Sequence, residues 1–164
     1  MYGTSRGAVY VLYGGPESSF SPLTLPATLD PLTTGFTITR NTANDYFGFS
    51  VSTAGDLNND NYDDIIIGAN RKDSERGMVY VIYGGPKSSL PNLDFTSPTL
   101  NPLSNGFTVQ GNANGDYFGY SMSATGDINN DNYDDIIIGA QVKSGGKGGT
   151  YLVHASKILF YSSF

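Results

Sequence analysis

The sequence has no cysteine and no tryptophan, and one histidine, His154, among its 164 residues. Without thiols there is no disulfide framework, no thiolate metal site and no cysteine nucleophile, although the compartment stays open on that ground. Basic residues are also few, nine Lys plus Arg against fifteen Asp plus Glu, for a formal charge of −6. They form no cluster able to follow a phosphate backbone, so nucleic acid is not an expected partner. No apolar run approaches the ~20 residues of a membrane span. The opening MYGTSRGAVYVLYGG lacks the basic start and apolar core of a secretory signal. Either the protein stays inside the cell, or a signal belongs to a longer chain.

What is abundant favours strands. Twelve Tyr, nine Phe, 21 Gly and eight Pro accompany frequent Val, Ile and Thr, and the Ala, Leu, Glu and Lys content that builds long helices is low. An all-β chain is expected.

The chain also repeats itself. GAVYVLYGGPESS at 7–19 returns as GMVYVIYGGPKSS at 77–89, and a weaker GGTYLVHAS occupies 148–156. GFTITRNTANDYFGFSVSTAGD at 35–56 returns as GFTVQGNANGDYFGYSMSATGD at 106–127. Each period of about seventy residues reads as four short strands. GAVYVLYG and GMVYVIYG end in Gly-Gly-Pro, which cannot continue a central strand. GFTIT and GFTVQ alternate like half-exposed outer strands. YFGFSVSTA and YFGYSMSAT mix small and aromatic residues where backbones approach closely. DDIIIGA is apolar throughout, as in a strand buried on both faces. Residues 16–34 and 86–105, rich in Pro, Ser, Thr and Leu, are expected to be long surface loops.

Four strands per repeat, none able to bury its own faces, is the pattern of a β-propeller blade. The expected organisation is one partial propeller over 1–164, with repeat units 7–76 and 77–147 and a degenerate copy at 148–164. It opens on the third strand of a blade, holds one continuous four-strand copy, and stops soon after the third strand of the next. About two blades cannot close a ring, since propellers use four to eight. The missing blades belong to a longer chain or to further copies in a homo-oligomer.

The acidic residues concentrate in GDLNNDNYDDIIIGA at 55–69 and GDINNDNYDDIIIGA at 126–140. Asp56, Asn58 and Asp60 alternate, as do Asp127, Asn129 and Asp131. Oxygens at positions 1, 3 and 5 of a tight loop converge, and a hard cation takes six to eight of them. The carbonyl at position 7, from Tyr62 or Tyr133, adds a backbone donor. Position 6 needs φ > 0, which Asn61 and Asn132 tolerate. An EF-hand would need Glu at position 12, where Ile67 and Ile138 stand. The closing carboxylate must therefore come at position 9, from Asp64 and Asp135. Three carboxylates, an amide and a carbonyl, all oxygen, favour Ca²⁺ at two sites. The alternative is a β-turn with solvated Asp residues, since Asn and Asp favour turns in any case.

Phe47-Gly48, the first Asp/Asn loop and Gly68-Ala69, matched by Phe118-Gly119, the second loop and Gly139-Ala140, resemble the FG-GAP repeat of integrin α-subunit propellers. The resemblance covers roughly residues 7–155. It implies a seven-bladed propeller, with structural Ca²⁺ in the hairpin between the first and second strands of a blade and ligands bound on the opposite face. It further implies an extracellular or cell-surface setting, where Ca²⁺ modules bind with Kd on the order of 10⁻⁴–10⁻³ M. The sequence departs from the pattern at Asn70 and Gln141, where Pro usually follows Gly-Ala, and in the tail from His154 to Tyr161.

The functional expectation is a non-enzymatic calcium-binding module for adhesion, or for binding a protein or glycan ligand. The alternatives are an accessory domain of a secreted hydrolase or lipase, or a truncated fragment without independent function. Catalytic material is sparse. His154 reads as a strand residue, and Asp63-Asp64 and Asp134-Asp135 point to opposite strand faces. Tyr10, Tyr13, Tyr80 and Tyr83 read as strand packing rather than a carbohydrate platform. Arg71, Lys72, Glu75 and Arg76 read as a solvated hairpin tip.

Overall fold

Ten strands form three sheets in the computed structural model, which describes residues 7–16, 29–40, 42–95, 100–143 and 146–155. The divergent tail from 156 onward and the part of the first expected loop at 17–28 lie outside the described residues.

The middle sheet is a complete blade. Strands β3 (Phe47–Gly55), β4 (Asp64–Ala69), β5 (Met78–Ile82) and β7 (Gly106–Gln110) pair antiparallel in that order. The sheet before it holds β1 (Gly7–Leu12) and β2 (Gly35–Arg40), and the sheet after it β8 (Phe118–Gly126), β9 (Asp135–Lys143) and β10 (Lys147–Val153). This mostly β chain of small sheets is consistent with partial propeller blades. The isoleucine runs are the second strands. Ile66, Ile67, Ile136 and Ile138 are fully buried, as expected where both faces of a strand are covered.

The Phe-Gly pair has a specific place in each blade. Phe47 pairs with Ala69 and Ser50 with Gly68, so Gly48 and Phe49 bulge out of the ladder, with Gly48 at φ 81°. The bulge turns Phe47 inward, edge-on to Tyr80 at 5.3 Å, and Phe118 meets Tyr151 in the same way at 5.3 Å. Such ring pairs contribute about 0.5–1.5 kcal/mol beyond their burial. Tyr80 is 1% exposed, so it packs the core as expected.

Four expectations need correction. GFTIT is not a half-exposed outer strand, since β2 is buried at every position but Thr39. Residues 86–105 are more than a surface loop. A 3₁₀ turn at Lys87–Ser89 leads into β6 (Leu93–Asp94), which joins the edge of β2 in parallel. Phe95 is then buried and stacks on Tyr80 at 5.6 Å. An apolar residue among turn-forming ones gave no periodic signal, yet it closes the neighbouring blade. The charged turn at 71–76 is likewise not only a solvated tip. Arg71 lies over the ring of Tyr46 at 4.5 Å, Arg76 donates to the Asn114 side chain, and Tyr117 N–H donates to the Glu75 carbonyl at 2.8 Å. Finally, His154 stands just past β10 rather than within a strand.

Candidate metal centre

Each Asp/Asn loop connects the first and second strands of its blade, and the two copies have the same internal bonding. In the first, Asp60 N–H is shared by Asp56 Oδ1 at 3.0 Å and Asn58 Oδ1 at 3.1 Å. Two of the three alternating oxygens therefore converge on one hydrogen. Asn61 N–H donates to Asp56 Oδ2 at 2.7 Å, and Tyr62 N–H to Asp60 Oδ1 at 2.9 Å. In the second, Asp131 N–H meets Asp127 Oδ1 and Asn129 Oδ1, both at 3.0 Å, and Asn132 and Tyr133 donate to Asp127 and Asp131. Asn61 and Asn132 hold φ of 69° and 70°. Asn59 and Asn130 also have positive φ, 59° and 60°. This explains the double Asn, since Asn visits that region with less strain than most side chains.

Position 9 is different. Asp64 and Asp135 are fully buried at the start of the second strand. Asp64 accepts Leu57 N–H at 2.9 Å and Gly84 N–H at 2.8 Å, and Asp135 accepts Ile128 N–H and Ala155 N–H, both at 3.1 Å. Each carboxylate thus ties the loop to its own strand and to the end of the third strand. Burial pushes the Asp64 carboxyl up to about 7, against the pull of the Gly84 and Leu57 N–H bonds and with the help of the Asp60 and Asp56 charges. Asp127 is held below the ordinary range. A desolvation push upward is outweighed there by backbone N–H groups of Asn132, Asp131, Asn130 and Asn129.

The structure thus joins positions 1, 3 and 5 in each loop and sets position 9 beneath them. Among the described residues, no three His, Cys, Asp or Glu side chains come together as a ready-made metal-holding group. The donor chemistry nevertheless suits a hard cation, because every predicted donor is an oxygen. Also among the described residues, no hydrogen bond falls on the Tyr62 or Tyr133 carbonyl. The Tyr62 ring is 43% exposed, whereas Tyr133 packs against the core.

Two participants escaped the sequence reading. His154 places Nδ1 3.3 Å from Asp135 Oδ1 and 3.3 Å from Asn129 Nδ2. That nitrogen can donate to one or accept from the other, not both. Its signal was present in the sequence, since His154 stands where the preceding repeat has Tyr83. The second participant is Asp134, whose Oδ2 accepts Asp56 N–H across the blades at 2.9 Å. The Asp-Asp pair was visible, but a neighbouring blade as the target of its outward member was not.

Comparison with known proteins points to the same segments. The FG-GAP repeat family matches residues 47–82 and 118–154. Integrin alpha-3 of Mus musculus is 36% identical over 115 residues, 68% of this chain and 10% of that protein. Integrin alpha-PS2 of Drosophila melanogaster is 30% identical over 131 residues, 74% of this chain and 8% of that protein. Integrin alpha pat-2 of Caenorhabditis elegans is 34% identical over 97 residues, 57% of this chain and 7% of that protein. The chain spans a tenth or less of the length of these relatives. It carries FG-GAP repeats and is distantly similar to integrin alpha subunits.

Proposed function

We propose that the chain is a non-enzymatic, calcium-stabilised propeller module that works at the cell surface or outside the cell, in adhesion or in binding a protein or glycan ligand. It forms one partial propeller over 1–164 with units 7–76, 77–147 and 148–164, and further blades complete it. The first ion would be held by Asp56, Asn58, Asp60, Asp64 and the Tyr62 carbonyl. The second would be held by Asp127, Asn129, Asp131, Asp135 and the Tyr133 carbonyl. The supporting observation is the identical hydrogen-bond set of the two loops, each gathering acidic and amide oxygens about one backbone turn. The ion would supply positive charge between carboxylates that otherwise repel one another, closing the hairpin into its buried strand.

Thermal unfolding in EDTA and in millimolar calcium tests this reading. At ten times Kd each site adds about 1.4 kcal/mol, so two sites raise Tm by roughly 5–10 °C for a chain of this size. Asp60→Ala with Asp131→Ala should abolish the gain. Equal melting curves with and without calcium would sink the assignment.

A further inference from the structure

The two Asp/Asn loops bond alike internally, but the residue set beside them differs. Just past the third strand of its blade, the first loop has Tyr83 and the second has His154. Burial and the charges of Asp64 and Asp60 push the Tyr83 hydroxyl up to about 12. It therefore keeps its proton and offers a metal ion only a neutral oxygen. In the second blade an imidazole stands at that place, from the one histidine of the sequence.

His154 Nδ1 faces two side chains of the loop. Asp135 Oδ1 lies 3.3 Å away and Asn129 Nδ2 also 3.3 Å, and the same Nδ2 donates to Asp131 Oδ2 at 3.0 Å. Asp135 is fully buried, whereas the His154 side chain is 46% exposed, so the ring forms the solvent-side wall of the loop. With the ring proton on Nε2, the Nδ1 lone pair confronts a carboxylate oxygen at 3.3 Å, an arrangement that favours positive charge between them. Zinc suits this spacing. Two donors each about 2.0–2.1 Å from one tetrahedral ion stand about 3.3–3.4 Å apart. Asp131 lies one amide further on, so the ion itself completes the site as Asn129 turns aside, and among the described residues no ready-made group of three is present.

We infer that His154 makes the second loop a mixed nitrogen and oxygen site for Zn²⁺, held by His154 Nδ1 and the carboxylates of Asp131 and Asp135. The carboxylates are those of the proposed calcium loop, on which this assignment rests. Imidazole nitrogen suits zinc, whereas carboxylate, amide and carbonyl oxygens suit calcium. The first loop, with Tyr83 in place of the imidazole, keeps to calcium. One exchange of Tyr for His thus separates two otherwise matching loops by donor chemistry.

The test is a titration of the full chain with zinc chloride, read by calorimetry and by the ring nitrogens of its one histidine in NMR. The Nδ1 resonance should shift more than Nε2 and saturate at one equivalent. His154→Tyr copies the first blade and so keeps the packing. It should weaken zinc binding by about tenfold or more, a loss found even for groups that only support a zinc ligand, and leave calcium binding at the second loop unchanged. Asp131→Ala should weaken zinc to the same degree, and Tyr83→His should add a second zinc equivalent at the first loop. Equal zinc affinity in the parent and His154→Tyr would overturn the assignment. So would a His154 shift that Asp131→Ala leaves intact, because a lone surface histidine is then the whole site. Calcium titrations of the same chains keep the two readings apart. Calcium bound at both loops with zinc indifferent to His154 refutes the zinc site alone. Zinc bound through His154 and Asp131 with calcium at neither loop upholds the zinc site and refutes the calcium reading.

Discussion

Asp64 holds two roles that a pH series can separate. Its carboxylate is fully buried, accepts two backbone N–H groups and lies below Asp56 and Asp60. Because the folded value is about 7 against an ordinary 3.8, the folded calcium-free chain keeps a proton that the unfolded chain has released between about pH 4 and 7. The folded state binds more protons across that window, so stability falls as pH rises through it and levels off above. The shift corresponds to at most about 4 kcal/mol, and screening by the water around the open loop reduces this to about 2 kcal/mol. About two thirds of that loss falls between pH 5 and pH 8, so in EDTA Tm should drop by about 2–5 °C over that range. Asp64→Asn, which resembles the neutral acid, should remove that share of the slope and match the parent near pH 5. Calcium reverses the order, because an ion needs the carboxylate. At pH 8 the parent should gain about 3 kcal/mol from two sites and the variant about half of that, from the second loop alone. Scanning calorimetry on both chains, with and without calcium, reads all four conditions. If parent and variant share one pH slope in EDTA, the buried-acid reasoning is wrong. If calcium protects both equally, Asp64 is not a ligand.

Five other substitutions probe the packing. Asp134→Ala removes the carboxylate that accepts Asp56 N–H between blades and should cost about 1–3 kcal/mol in urea unfolding. Asp63→Ala, at the exposed equivalent position, should stay within about 0.5 kcal/mol of the parent. Gly77→Ala sets a Cβ into the Phe118 backbone at φ 85°, whereas nothing lies within 4 Å of a Cβ on Gly14. The first should cost more than about 2 kcal/mol and the second almost nothing, as compared by Tm. Phe95→Ala should cost about 3–5 kcal/mol, the value for a buried aromatic. A loss below about 1 kcal/mol would return residues 86–105 to the status of a surface loop.

The strands were legible because each carries its own signal. DDIIIGA reads as a strand covered on both faces, and Gly-Gly-Pro stops the strand before it. The loops were legible at positions 1, 3 and 5, where alternation alone brings oxygens together. What escaped depends on contacts between repeats. Phe95 gains its burial from Tyr80 and Phe47, which lie in another part of the period. The turn at 71–76 has a sequence fit for solvent, and it is held by the segment that opens the next blade. His154 could be placed only by aligning it with Tyr83 and seeing that both come after the third strand beside the position 9 carboxylate.

The two successive Asp residues at the end of each loop link the proposed ion site to the packing of blades. Adjacent residues at a strand start face opposite ways, so Asp135 turns inward to bind Ile128 and Ala155 N–H while Asp134 reaches the neighbouring loop. The residue it reaches is Asp56, whose own side chain gathers Asp60 and Asn61 N–H at the head of the first loop. One residue therefore offers its carboxylate to the proposed ion site and its backbone to the next blade. An ion that fixes Asp56 also fixes the N–H and carbonyl that Asp134 grips, and loosening either contact frees the other. Calcium at the first loop should then steady the seam between blades as well as its own hairpin. Asp134→Ala should accordingly lower calcium affinity at the first loop by a few-fold, the range of coupling found between contacting groups, and leave the second loop unchanged. Isothermal titration of chains in which Asp131→Ala silences the second loop, with and without Asp134→Ala, measures that coupling. Equal affinities would show that ion site and seam are independent.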